Sequence, residues 1–175
     1  MSGDVFTVWV NFVLEREGGL TDDKNDPGGL TNFGIDRRSH PDVDIRALTR
    51  DQAIEIYRQS YWLKSQADKL PPALAVIYAD SAVNQGLGAA ARLLQTACGV
   101  GVNGIIGPAT LAALVRLAAR EAANGKSLAQ LVDEFASRRA VRYADANKFA
   151  SFDLGWMRRL MACHTLALSL IPGKP

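Results

Sequence analysis

The 175-residue chain is predicted to be mainly α-helical, with one small β-hairpin near the N-terminus. Apolar residues recur every three or four positions along most of its length, which is the period of a helix with one buried face. Helix-start and helix-stop signals bracket those runs. Only the stretch Pro27-Gly28-Gly29-Leu30-Thr31-Asn32-Phe33-Gly34 combines strand and turn character. A 48% apolar composition supplies a core for a domain of this size without disulfide or metal staples.

Val5, Trp9, Phe12 and Val13 lie on one face of a first helix that runs into Gly18-Gly19. Glycine suits the left-handed turn that ends helices, so Glu17 falls on the last helical turn. Beyond the glycines comes Asp26, then the Pro27-Gly28-Gly29 turn, then Leu30–Ile35, which reads as a short strand broken by glycine. The polar stretch from Asp36 to Asp44, with a solvated His40, reads as a surface loop.

Thr49-Arg50-Asp51-Gln52 has capping-box spacing and opens a helix with Ala53, Ile54, Tyr57 and Tyr61 on one face. It ends in the aromatic cluster Tyr57 to Trp62, whose flat rings suit either a core or the apolar faces of sugars. Leu70-Pro71-Pro72 interrupts the pattern and starts the next helix, Ala73 to Asn84, apolar almost all round and hence the central buried one. Within it Asp80 and Asn84 share a face, and the expected partners of these polar groups are the backbone of the Glu17 hairpin or a substrate.

Gly88 to Cys98 forms a short helix closed by Gly99. Asn103-Gly104 signals a tight turn, and Pro108 opens a helix lasting to Asn124-Gly125. A second capping box at Ser127 starts a helix continuing toward Tyr143, with Arg138, Arg139 and Arg142 expected on its solvated face. Phe149 to Trp156 reads as a connector. A last helix, stopped by Pro172, places Leu160, His164, Ala167, Leu168 and Ile171 on one side, so His164 is expected in the core. This makes about seven helices, with no internal repeat.

Several function classes are disfavoured. The acidic run Asp22 to Asp26 is broken by Lys24 and Pro27 in every alternate-oxygen register, and no second His or paired Cys stands at metal-ligand spacing from His164, so neither metal site nor cofactor is expected. The net charge of +2 says little, and the lack of an aromatic-interleaved basic stripe argues against nucleic acid. No apolar run reaches the roughly 18 residues of a membrane span, so stable membrane insertion is not expected. Asp4, Asn11 and the absence of Lys or Arg before Val5 argue against a signal peptide. Cys98 and Cys163 are expected to be buried free thiols.

A carboxyl group at a helix end facing a glycine-rich hairpin with a second carboxylate and a hydroxyl is the set of parts that glycoside hydrolysis needs. One carboxylic acid must stay protonated for the leaving oxygen, while an ionised group across the sugar stabilises charge or orients water. The helix C-terminus disfavours a carboxylate at Glu17, by only roughly 0.3–1 kcal/mol, so burial has to add the rest. Glu15 is equally available by periodicity. The abutting glycines favour Glu17.

Glu17-Gly18-Gly19, Asp26 before Gly28-Gly29, and Thr31-Asn32-Phe33-Gly34-Ile35 resemble the signature of glycoside hydrolase family 108, the N-acetylmuramidases of phages and bacterial toxin-secretion loci. The segments Asp80-Ser81-Ala82-Val83-Asn84-Gln85-Gly86 and Phe152 to Trp156 are similar to further segments of that family, and Asn103 to Thr110 resembles an element of peptidoglycan-binding modules. The resemblance implies a lysozyme-like helical domain, with residues 1–87 catalytic and 88–175 a C-terminal helical, peptidoglycan-binding-like segment packed with it as one body. It makes Glu17 the catalytic acid, assisted by Asp26 and Thr31. Asn32, Tyr57, Tyr61, Trp62, Asn84 and Gln85 are the candidates for substrate binding. The implied partner is peptidoglycan, cut by a monomeric enzyme made in the cytoplasm without a signal peptide, as in a phage or prophage endolysin, and reaching the cell wall through a holin or a dedicated export route. A lytic transglycosylase and a non-catalytic peptidoglycan-binding or secretion-helper protein are the rival expectations.

Overall fold

The computed structural model describes residues 4–22, 30–120, 127–146 and 149–172. It divides into two compact units, Met1–Ser60 and Tyr61–Pro175.

In the first unit, helix α1 (Val5–Glu17) buries Phe6, Trp9, Val10, Phe12, Val13 and Leu14. Three short strands follow, β1 (Thr21–Asp22), β2 (Leu30–Asn32) and β3 (Ile35–Asp36), forming an antiparallel sheet in the order β1-β2-β3. The expected single strand Leu30–Ile35 is therefore two strands. Phe33 and Gly34, at φ 52° and 76°, reverse the chain between them, and Asp36 ends a strand instead of opening a loop. Helix α2 (Arg50–Tyr57) starts on the expected capping box: the Thr49 hydroxyl accepts from the Gln52 amide, and the Gln52 side chain accepts from the Thr49 amide at 2.9 Å. The α-helix stops at Tyr57 and continues as a π-helical segment, Arg58–Leu63, whose wider winding places Trp62 inside.

The second unit is built around helix α3 (Pro72–Gln85), with every residue from Ala73 to Ala82 buried. Helices α4 (Leu87–Ala97), α6 (Leu128–Ala144) and α7 (Phe149–Ser169) pack on it. Pro108 opens α5 (Pro108–Arg120) as expected, while the expected end at Asn124-Gly125 lies outside the described residues. The Asn103-Gly104 turn is held by Gln95, a fully buried side chain on α4. Its Oε1 accepts from the Asn103 and Gly104 amides at 3.0 and 2.8 Å, and its Nε2 donates to Asn103 Oδ1 at 2.8 Å. That segment is a docking device for the α5 start, which is structural work. Cys98 and Cys163 are buried free thiols.

Three expectations are corrected here. Phe149 to Trp156 is the first part of α7. A glycine inside a helix costs only about 1 kcal/mol, and packing of Trp156 on Tyr143, with ring centroids 5.1 Å apart, outweighs Gly155. Arg139 is fully buried, not solvated, because it pairs with Asp80 (Nη2 to Oδ2, 2.7 Å) and donates to the Tyr143 hydroxyl at 2.8 Å. His164 is half-buried and not in the core, its Nε2 2.6 Å from Asp133 Oδ1, so a carboxylate satisfies it.

Candidate active site

α1 ends on Glu17, and Gly18 at φ 74° turns the chain out of the helix, as the paired glycines require. The two glutamates that periodicity leaves equivalent sit in different surroundings. Glu15 is exposed, with Arg16 Nη1 3.7 Å from its Oε2, whereas Glu17 is half-buried. Gly34 lies against Glu17. A Cβ at position 34 would stand 2.6 Å from Glu17 Cγ, 2.8 Å from Glu17 Cβ and 2.6 Å from the Tyr57 hydroxyl oxygen, so no side chain fits there without displacing one of them.

The turn that brings Gly34 to this place has two residues, Phe33 and Gly34, closing the Asn32–Ile35 pair. Positive φ at both matches the primed turns that suit a twisted hairpin, and the left-handed conformation costs Phe33 roughly 1–3 kcal/mol. Contacts on either side of the turn offset that cost. The buried Tyr57 donates its hydroxyl to the Phe33 carbonyl at 3.0 Å and stands edge-on to Trp9, with ring centroids 6.0 Å apart. Asn32, also buried, donates Nδ2 to the Ile45 and Leu48 carbonyls at 3.2 and 3.3 Å, tying the strand end to the following loop.

Thr31, half-buried in the middle of β2, is in register with Thr21 on one side and Asp36 on the other. Burial alone would raise the Asp36 carboxyl, but hydrogen bonds from Ser39 hold it below its ordinary range, so it is an ionised group on the strand beside Thr31. Asp26 lies outside the described residues. The arrangement provides a glutamate whose stem lies against the turn that joins β2, the strand carrying the Thr31 hydroxyl, to β3.

The remaining candidates belong to the second unit. Trp62 is buried, Tyr61 and Gln85 are half-buried, and Asn84 is exposed. Asn84 donates Nδ2 to the Asp80 carbonyl at 2.8 Å, and Gln85 accepts from the Ser81 hydroxyl at 3.1 Å. Both line a cleft of about 940 Å³ together with Tyr143, Arg142 and Trp156. Asp80, expected to partner the hairpin backbone or a substrate, is fully buried. Its partners are guanidinium groups, Arg139 from α6 and Arg159 from α7, the latter donating Nε and Nη2 to Oδ1 at 3.0 and 2.8 Å. Sequence reasoning missed Gly34, Arg159 and Trp156. Gly34 and Trp156 carried a signal, since both fall in segments that resemble the family, whereas Arg159 carried none.

Among the described residues no group of three or more His, Cys, Asp or Glu is arranged to hold a metal ion, and no helix is long and apolar enough to cross a membrane.

Residues 10–86 match the family model "Glycosyl hydrolase 108", and residues 89–161 match the model "Predicted Peptidoglycan domain". No curated protein matches the chain. Among solved structures, that of Brucella abortus SagA superposes with a TM-score of 0.80 at 31% identity, covering 94% of each chain. Likeness at that identity over nearly the whole length, with both models matched in order, establishes that the chain belongs to the glycosyl hydrolase 108 family and is a glycoside hydrolase.

Proposed function

We propose that this peptidoglycan hydrolase is an N-acetylmuramidase, a lysozyme that cleaves the β-1,4 bond between N-acetylmuramic acid and N-acetylglucosamine. Glu17 is the general acid, and Asp26 and Thr31 hold water or stabilise the positive charge that develops on the sugar. The observation that carries this reading is the packing of Gly34 on the Glu17 stem. A proton donor works only when held in a narrow range of positions, and this contact restricts Glu17 in a way Glu15 is not restricted.

Asn32 and Tyr57 serve this site by bracing the hairpin, since their polar atoms are committed to backbone carbonyls. Trp62 is buried in the core, and Tyr61, Asn84 and Gln85 remain the side chains assigned to substrate. Residues 1–87 act as the catalytic segment and 88–175 as the segment that engages the wall, in line with the two model matches. The biological role that suits such an enzyme is a phage or prophage endolysin, made in the cytoplasm and released by a holin or a dedicated export route to act on the cell wall as a monomer.

The test compares wild type with Glu17→Gln on purified peptidoglycan and weighs the released fragments. Cleavage should disappear with folding retained, and the wild-type digest should carry new reducing ends at muramic acid. Anhydro-muramic products would instead make it a lytic transglycosylase, and equal turnover by the variant would remove Glu17 from the mechanism. A separation of the Glu17 and Asp26 carboxyls of about 5 Å goes with retention of anomeric configuration and roughly 6.5–9.5 Å with inversion, so the product anomer reports it.

A further inference from the structure

The three strands put one row of polar side chains across the sheet. Thr31 on β2 is in register with Thr21 on β1 and with Asp36 on β3. Side chains alternate between the two faces of a strand, so this row lies on the face opposite the buried Asn32 and Ile35. Two hydroxyls and a carboxylate share one surface, and of these the reaction described above uses only Thr31.

The hydrogen bonding of the hairpin brings Asp36 close to Thr31. The Arg37 amide donates to the Leu30 carbonyl at 3.2 Å, and the turn closes on the Asn32–Ile35 pair. Thr31 and Asp36, between them, form the non-hydrogen-bonded kind of pair, in which Cα atoms stand about 4.5 Å apart and side chains approach most closely. Asp36 also follows Gly34 by two residues, roughly 7 Å along the strand from the glycine that rests on Glu17.

The Asp36 carboxylate keeps its charge. Burial works against ionisation, but Oδ1 accepts from the Ser39 amide at 2.8 Å, and hydrogen bonds rather than a neighbouring cation hold the carboxyl below its ordinary range. The bond to Ser39 needs only an acceptor, which an amide or a hydroxyl supplies as well, so the charge is surplus to that structural task.

Glycoside hydrolysis passes through an oxocarbenium-like transition state, with positive charge on the sugar ring. A fixed negative charge nearby favours that state over the uncharged ground state. We propose that Asp36 is a further residue of this reaction: its carboxylate, on the sheet face of Thr31, stabilises the positive charge on the sugar as the glycosidic bond breaks. It acts by its field and forms no bond to the sugar. The assignment rests on the reading of Glu17 as the acid and Thr31 as its assistant.

The experiment is steady-state kinetics of Asp36→Asn and Asp36→Ser on soluble, uncrosslinked peptidoglycan strands, each with a thermal melt. Both variants keep an acceptor for the Ser39 amide and lose the charge, so their melts should stay close to that of wild type. In both, kcat should fall by about tenfold or more with KM little changed, the pattern of an interaction made only in the transition state. Wild-type kcat in either folded variant, or a rise in KM at unchanged kcat, would overturn the proposal. Collapse of both folds would make Asp36 a structural residue and overturn it too. Glu17→Gln, measured beside them, reports the acid independently: an inactive Glu17→Gln with fully active Asp36 variants removes Asp36 alone.

Discussion

Gly34 rests on the side chain of Glu17, so closely that a methyl group on Gly34 would fall within 2.6 Å of Glu17 Cγ. Gly34 stands seventeen positions after Glu17 in the chain, yet the position of one depends on the other. The contact needs a residue that both tolerates φ of 76° and lacks a side chain, and glycine alone meets both conditions.

Replacing Gly34 by alanine should therefore reduce activity more than stability. The left-handed conformation costs an alanine roughly 1–2 kcal/mol, a loss the fold should survive. The displaced Glu17 is more serious, because a shift of about 1 Å in a catalytic group costs on the order of 10²-fold in rate. Initial rates on purified peptidoglycan, alongside a thermal melt, check this; wild-type turnover by a folded Gly34→Ala protein would show that the contact does not position the acid.

Tyr57 sits on the other side of the same turn, and its hydroxyl is the second atom that a side chain at 34 would strike. Tyr57→Phe removes the hydrogen bond to the Phe33 carbonyl and should destabilise the protein by about 0.5–1.5 kcal/mol. It also vacates space for a methyl group. The double variant Tyr57→Phe/Gly34→Ala is thus expected to lose less stability than the two single losses added together, which chemical denaturation of the four proteins measures. Strict additivity would mean that the turn avoids the clash by moving away from Tyr57.

Much of this architecture is legible in the residues themselves, where the signals are local. Thr49 and Ser127 announce helices α2 and α6 through their capping boxes, Gly18 ends α1, and the apolar circumference of Ala73 to Ala82 marks the central helix. Arg139 shows why the rest is harder. It lies four residues from both Phe135 and Tyr143 and so falls on the buried face of α6, but a charge there makes sense only once Asp80 is known to lie opposite. The same holds for the site. Glu17 and its glycines stand out, whereas the hold of Gly34 and Tyr57 on that glutamate comes from a turn whose two positive φ angles are spread over Phe33 and Gly34. Trp156 sits in a stretch read as a connector because Gly155 weakens the helical pattern, and only packing on Tyr143 reveals its orientation.

The thiols should be silent in the native protein. Burial pushes the Cys163 thiol well above its ordinary range, and the Asp80 carboxylate adds to this against the opposing guanidinium groups of Arg139 and Arg159. Cys98 is buried as well. Because the thiolate is the reactive form, a colorimetric disulfide reagent at neutral pH should titrate no fast-reacting thiol until denaturant is added, and then both. Rapid labelling of native protein would show that the second unit opens locally.

The ion cluster around Asp80 should give the protein a specific weakness in acid. Burial alone would raise the Asp80 carboxyl, but the Arg139 and Arg159 guanidinium groups and their hydrogen bonds hold it below the ordinary aspartate value of 3.8. Since the folded-state value lies below the unfolded one, the cluster contributes stability that is fully present above about 3.8 and disappears as pH falls through the folded value. Protonation then leaves two guanidinium groups, one fully buried, facing a neutral carboxyl. Asp80→Asn imposes that state at every pH and should cost about 3–5 kcal/mol near neutrality, the usual penalty for removing one member of a buried pair. Its melting temperature should in turn depend less on pH below 3.8 than that of wild type. Melts recorded from neutral pH down through this range for both proteins distinguish the outcomes: parallel acid limbs would place the acid sensitivity in some other carboxylate.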